Sequence, residues 1–161
     1  MSFTELANRA VACKHWAWTP GMRGIRTFWH PTLHKNVTVH VRVESSLDVE
    51  IVAGPTDQAL VSSAYCIVSG WTKLSDMRPD FDDPATVGCL LALVRKAWNM
   101  PKLHIRPEGD GYRVWGDEPG AILFESEVCA LVHYLEAAGE AMISEGRHEM
   151  IRKYFSIWRG T

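Results

Sequence analysis

Val37, Val39, Val41 and Val43 alternate with Thr38, His40, Arg42 and Glu44. Successive side chains of a strand point to opposite faces, and β-branched residues suit a pleated surface. The run therefore predicts a strand with one dry and one wet face. Leu47, Val49 and Ile51 repeat the pattern against Asp48 and Glu50. A hairpin turning through Glu44-Ser45-Ser46, with Val43 opposite Leu47 and Val41 opposite Val49, gathers the apolar side chains on one face. The same register sets Arg42 against Asp48 and His40 against Glu50. A period of two is incompatible with a helix, so this chain must build a sheet and cover its dry side.

Helical signals lie on either side of that hairpin. Ser2-Phe3-Thr4-Glu5 reads as a capping box, and Phe3, Leu6, Ala7, Ala10 and Val11 follow at helical spacing to about Lys14. Pro20-Gly21 then stops the segment. Asp83 and Pro84 suit the cap and first turn of a second helix, with Val87, Leu90, Leu91, Val94 and Trp98 on one side and Pro101 beyond its end. Ser126 caps a third helix carrying Val128, Leu131, Val132 and Leu135, closed by Gly139. Strands are predicted at Ile25–His30, Ala59–Trp71, Leu103–Arg106, Tyr112–Trp115 and Ala121–Phe124, with Pro107–Gly111 joining the third and fourth of these. The whole predicts an α+β fold of two layers, helices packed on a mostly antiparallel sheet. It reads as a single domain over 1–161 with a C-terminal helical extension over 140–161.

Composition narrows function by exclusion. A formal net charge of −2 over 161 residues is unlike a chain devoted to phosphate backbones, and equally unlike an acidic DNA mimic. Nucleic-acid binding as the main activity is therefore disfavoured, though a local patch is compatible with that sum. Cys13, Cys66, Cys89 and Cys129 form no CxxC pair, which reads as buried thiols in a reducing compartment. There is no secretory leader and no apolar run of about 18 residues, so no membrane is expected.

Three blocks carry a resemblance. They are Ala12-Cys13-Lys14-His15-Trp16-Ala17-Trp18-Thr19-Pro20-Gly21-Met22, the stretch from Asp80-Phe81-Asp82-Asp83-Pro84 to Lys96-Ala97-Trp98, and Ser126-Glu127-Val128-Cys129-Ala130-Leu131-Val132 with Leu135-Glu136-Ala137-Ala138. In order and spacing they resemble a group of small proteins encoded by tailed bacteriophages and prophages, a group with no established activity. The likeness covers residues 4–22 and 79–138. It leaves out residues 25–75, and the tail extends past the point where such chains end. It assigns no site residue. What it implies is a phage accessory protein that meets host machinery in the host cytoplasm.

Chemistry-bearing clusters each meet a plainer explanation. His30, His34 and His40 fall close together, but Pro31 interrupts any helix that would align them, and no ligand set is completed. Asp80, Asp82 and Asp83 have the composition of a Mg²⁺ site and the placement of a helix cap. No nucleophile elbow, phosphate loop or dinucleotide fingerprint is present, so catalysis is disfavoured and neither cofactor nor metal is expected. Partner-binding candidates are Trp16, Trp18 and Arg23 near one turn, and His40 and Arg42 on the wet strand face. Arg152, Tyr154, Phe155 and Trp158 on the tail complete the set. Core anchoring competes with recognition for the two indoles, and a solvated face competes for the strand residues. The leading expectation is a non-enzymatic inhibitor that binds a host defence protein or complex, for example a CRISPR effector. A binder that sequesters a nucleotide immune signal and a phage enzyme acting on nucleic acid are the alternatives. A homodimer through the C-terminal helix is a further possibility.

The tail yields a direct test. Large apolar side chains gain about 1.5–3 kcal/mol each on burial, so Tyr154, Phe155 and Trp158 are expected to be covered by the chain itself, a second copy or a target. Replacing all three by Ala should abolish folding, dissociate a dimer or remove target binding, as read by circular dichroism, sedimentation and pull-down. A variant unchanged in all three would show the tail to be neither core nor interface.

Overall fold

The computed structural model describes residues 1–30, 34–44, 49–53, 77–116 and 119–141. Contacts group the chain into two compact units. One consists of Met1–Trp16 with Leu90–Thr161 and the other of Ala17–Cys89. The fold is α+β. Among the described residues it has three helices and two antiparallel sheets, and no helix is long and apolar enough to cross a membrane. The predicted strand at Ala59–Trp71 and the tail beyond Ala141 lie outside the described residues.

The unit Ala17–Cys89 is built on the valine alternation. Strands β1 (Arg23–His30), β2 (Lys35–Val43), β3 (Val49–Ala53) and β4 (Arg78–Pro79) form a sheet in the order β3-β2-β1-β4. Val39, Val41 and Val43 are fully buried and Val37 nearly so, while Thr38 is exposed and His40 and Arg42 are half-exposed. The chain enters β1 through Thr19-Pro20-Gly21-Met22, where the Met22 amide donates to the Thr19 carbonyl at 3.0 Å and Gly21 takes φ +92°. This is a type II turn, with Pro presetting its first central residue and Gly supplying the positive φ of its second.

The hairpin differs from the predicted register by two residues. Val43 faces Val49, Arg42 faces Glu50 and Val41 faces Ile51, with an irregularity between His40 and Val41 that sets Ala53 opposite His40. The turn is accordingly longer than Glu44-Ser45-Ser46. A slip of two preserves side-chain parity, so the partition into dry and wet faces survives although each predicted partner changes.

In the other unit, α1 (Phe3–Ala12) opens with the predicted cap: the Glu5 amide donates to Ser2 Oγ at 3.3 Å. Helix α2 (Pro84–Trp98) belongs to the first-described unit through Cys89 and to this one from Leu90, with Leu90 and Val94 fully buried. It ends before Pro101. Asn99 adopts φ +53°, the Met100 amide reaches the Arg95 carbonyl and the Asn99 amide the Lys96 carbonyl, the paired bonds of a Schellman motif. Strands β5 (His104–Glu108), β6 (Gly111–Trp115) and β7 (Pro119–Phe124) then form a meander. Pro107, expected in the connection, lies within edge strand β5 opposite Tyr112, and the turn shrinks to Gly109-Asp110 with Gly109 at φ +57°. Helix α3 (Glu127–Ala141) starts where the Cys129 amide donates to Ser126 Oγ at 3.1 Å. It packs on α1, β6 and β7 and runs through Gly139, which does not end it as predicted. An interior glycine is tolerated where packing outweighs its cost of about 1 kcal/mol. Trp98 Nε1 donates to the Tyr134 carbonyl at 2.7 Å, and Arg9 pairs with Glu136 through Nε at 2.8 Å, tying α2 and α1 to α3.

The meander makes one position intolerant. A Cβ on Gly111 would lie 2.6 Å from the Phe124 carbonyl oxygen, which is backbone held in the paired strand. Gly111→Ala should therefore force the β6–β7 pair apart and cost about 1–3 kcal/mol in a urea titration. A cost near zero would place Phe124 elsewhere.

Candidate functional site

Residues 23, 25, 27 and 29 of β1 share a face with residues 36, 38, 40 and 42 of β2, because Arg23 faces Arg42, Ile25 faces His40, Thr27 faces Thr38 and Trp29 faces Asn36. Strand β4 adds Arg78 opposite Ile25. The wet face of the four-stranded sheet thus brings together Arg23, Arg42, Arg78 and His40 around Ile25. Trp29 stands further along β1 and is 56% exposed.

Two carboxylates fix part of this group. Asp80 is buried, and its Oδ2 lies 3.1 Å from His40 Nδ1 while its Oδ1 accepts the Asp82 amide. A carboxylate only accepts, so Nδ1 is the donor of that pair. Asp83 caps α2: its Oδ2 accepts both the amide and the hydroxyl of Thr86, each at 2.9 Å. Its Oδ1 faces Arg23 Nε at 3.5 Å, an ion pair longer than a good hydrogen bond. Thr86 is wholly buried and its oxygen accepts the Arg23 amide at 2.7 Å. The Asp80 amide donates to the Arg23 carbonyl at 2.9 Å, completing the link from β1 to the start of α2.

Of the residues singled out in the sequence, Arg23, His40 and Arg42 come together on this face. Trp18 does not stand free beside them. Its ring lies against Gly24, where an added Cβ would sit 3.2 Å from Trp18 Cη2, so this indole packs on β1. Trp16 is half-buried and belongs to the other unit. Arg152, Tyr154, Phe155 and Trp158 lie outside the described residues. Sequence reasoning missed Arg78, Trp29, Thr86 and the role of Asp80. Arg78 is invisible because β4 is two residues long and pairs with a strand some fifty positions away. Trp29 carried a weaker signal, standing in a predicted strand with the parity of Arg23.

The arrangement holds Arg23 and His40 in place. The Thr86 hydroxyl is buried and engaged. Burial pushes the thiol of Cys13 up to about 11 and raises those of Cys89 and Cys129, with Asp83 adding to the effect on Cys89 and Glu125 to that on Cys129. All three thus favour the unreactive thiol at neutral pH. Among the described residues no three His, Cys, Asp or Glu side chains gather to hold a metal ion. In the unit holding α3, a half-open cavity of about 220 Å³ is lined by Asn99, Met100, Pro101, Lys102, Leu103 and Gly116. It has neither the stacked rings nor the convergent arginines that nucleotide capture would use. No known protein family, curated protein or solved structure matches this chain.

The hub makes Thr86 sensitive. Thr86→Val keeps the shape and the residue-86 amide bond to Asp83 Oδ2, but leaves the Arg23 amide without its partner in a buried setting. It should cost about 1–3 kcal/mol by urea denaturation. Stability equal to that of the parent chain would show that this network does not hold β1 to α2.

Proposed function

We propose that the chain is a phage-encoded accessory protein that acts in the host cytoplasm without catalysis, binding and inhibiting a component of host defence such as a CRISPR effector. The contact surface in this reading is the wet face of the four-stranded sheet. The observation that carries it is the pairing of Arg23 directly opposite Arg42, with Arg23 and His40 each held by a carboxylate. Arg42 also faces Glu50 across the β2–β3 pair, so the sheet accommodates the two arginines side by side. Arginine is enriched among residues that dominate binding energy, and prior immobilisation lowers the entropy lost on association. The blocks that resemble phage proteins support the origin, and the protonated thiols and engaged hydroxyl support a binding rather than a bond-making role.

Expression of the chain in cells with active CRISPR immunity should restore plating of a targeted phage by orders of magnitude. The charge-reversed pair Arg23→Glu with Arg42→Glu, checked for folding by circular dichroism, should remove that protection. Failure to protect a targeted phage against any of a panel of defence systems would overturn the proposal.

A further inference from the structure

We infer that the cavity beyond the end of α2 binds a small amphipathic anion, a carboxylate carried on a short apolar body. The inference concerns the unit holding α3 alone and does not depend on the wet face of the four-stranded sheet.

The walls supply the apolar part. Met100, Pro101 and Leu103 line the space of about 220 Å³ together with the bare backbone of Gly116, and Leu103 is fully buried. An apolar cavity of about 150 Å³ is enough to hold a benzene ring, so this one has room for a short chain or a single ring. The lining is also set before a ligand arrives. The Asn99 and Met100 amides close the Schellman turn, and the Leu103 amide donates to the Met100 carbonyl at 3.1 Å. Arg95 Nε donates to the Leu103 carbonyl at 2.7 Å, and His104 Nδ1 donates to the Lys102 carbonyl at 2.9 Å. These bonds hold the loop, and they also decide what it can offer. The carbonyls of Met100, Lys102 and Leu103 are spent. The Lys102 ammonium and the Asn99 side-chain amide have no partner among the described residues. The lining therefore meets a ligand chiefly with donors, one of them charged. A carboxylate, which only accepts and carries one negative charge, is the complement of that set.

The surrounding charge agrees. From Pro84 to Pro107 the chain has no Asp or Glu, whereas Arg95, Lys96, Lys102 and Arg106 all fall in that stretch. Lys96, Lys102 and Arg106 form no ion pair among the described residues, and Arg106 is engaged only by the ring of Trp115, at 5.4 Å. The C-terminal end of α2 carries about half a negative charge, which Arg95 and Lys96 in its last turn more than offset. A neutral apolar ligand would leave the Lys102 ammonium unused, and inorganic phosphate would leave the apolar walls unused. Only a molecule with both parts uses the whole lining.

Hexanoate, hexan-1-ol and hexylamine share a chain and differ in the head. Each is titrated at low salt into the full chain while the Met100 methyl is followed by NMR. Hexanoate should bind with a dissociation constant of about 1 mM and about tenfold more tightly than hexan-1-ol, and hexylamine should not bind. Lys102→Met keeps the stem and should level the acid with the alcohol. Gly116→Ala sets a Cβ against the flexible end of Met100, and should weaken acid and alcohol alike by displacing that methyl. Circular dichroism checks that both variants fold. Asp117 and Glu118, which follow Gly116, lie outside the described residues, and hexylamine is the probe that would report an acidic site. No response of Met100 to hexanoate, equal binding of acid and alcohol, or binding of the amine would overturn the inference. Displacement of hexanoate by an equal concentration of inorganic phosphate, or a preference for the acid that survives Lys102→Met, would do the same.

Discussion

One buried hydroxyl holds the start of the four-stranded sheet to the start of α2. Thr86 has a single proton, and Asp83 Oδ2 at 2.9 Å is a closer and charged acceptor than the Arg23 carbonyl at 3.4 Å. Its lone pairs remain for the Arg23 amide. The same carboxylate that ends the helix dipole therefore also sets the depth at which β1 meets the helix and steadies the Arg23 guanidinium. Remove that link and three things shift together: the helix cap, the strand start and the placement of a cation on the outer face. Functional display and local stability share one set of atoms in this corner of the molecule.

How much of this was legible beforehand depended on whether the determining contact was local. The valine alternation revealed which residues of β2 are dry, because parity is a property of one strand. It did not reveal the partner residues, because register depends on the loop between Glu44 and Val49, and a shift of two leaves parity intact. The caps at Ser2, Asp83 and Ser126 were legible because a side chain reaches a backbone amide three residues on. Pro107 was misplaced in a connection because its tolerance depends on which edge of the strand faces outward, and no local pattern reports that. Gly139 was misread as a helix end for the same reason: packing of α3 on α1 and the meander decides it.

The outer face shows the same division. Arg23, His40 and Arg42 stand out because two strands near in sequence place them side by side. Asp80 looked like part of a helix approach and is also the group that orients His40, a role that exists only once β2 and the residues after β4 are neighbours. Arg78 had no signal at all. Sites assembled from short, distant strands are where single-sequence reading runs out, since their chemistry is distributed over residues that look ordinary in place.

Edge strand β5 has one further consequence. In a hairpin closed by two residues the Glu108–Gly111 pair exchanges hydrogen bonds, so the next pair, Pro107 and Tyr112, does not, and the backbone of Pro107 turns toward the side on which β5 has no strand neighbour among the described residues. A proline there sacrifices no bond within the meander and removes a donor that an incoming strand would need. That side of the sheet is thereby protected against growing by strand addition, a common route to aggregation for small sheets.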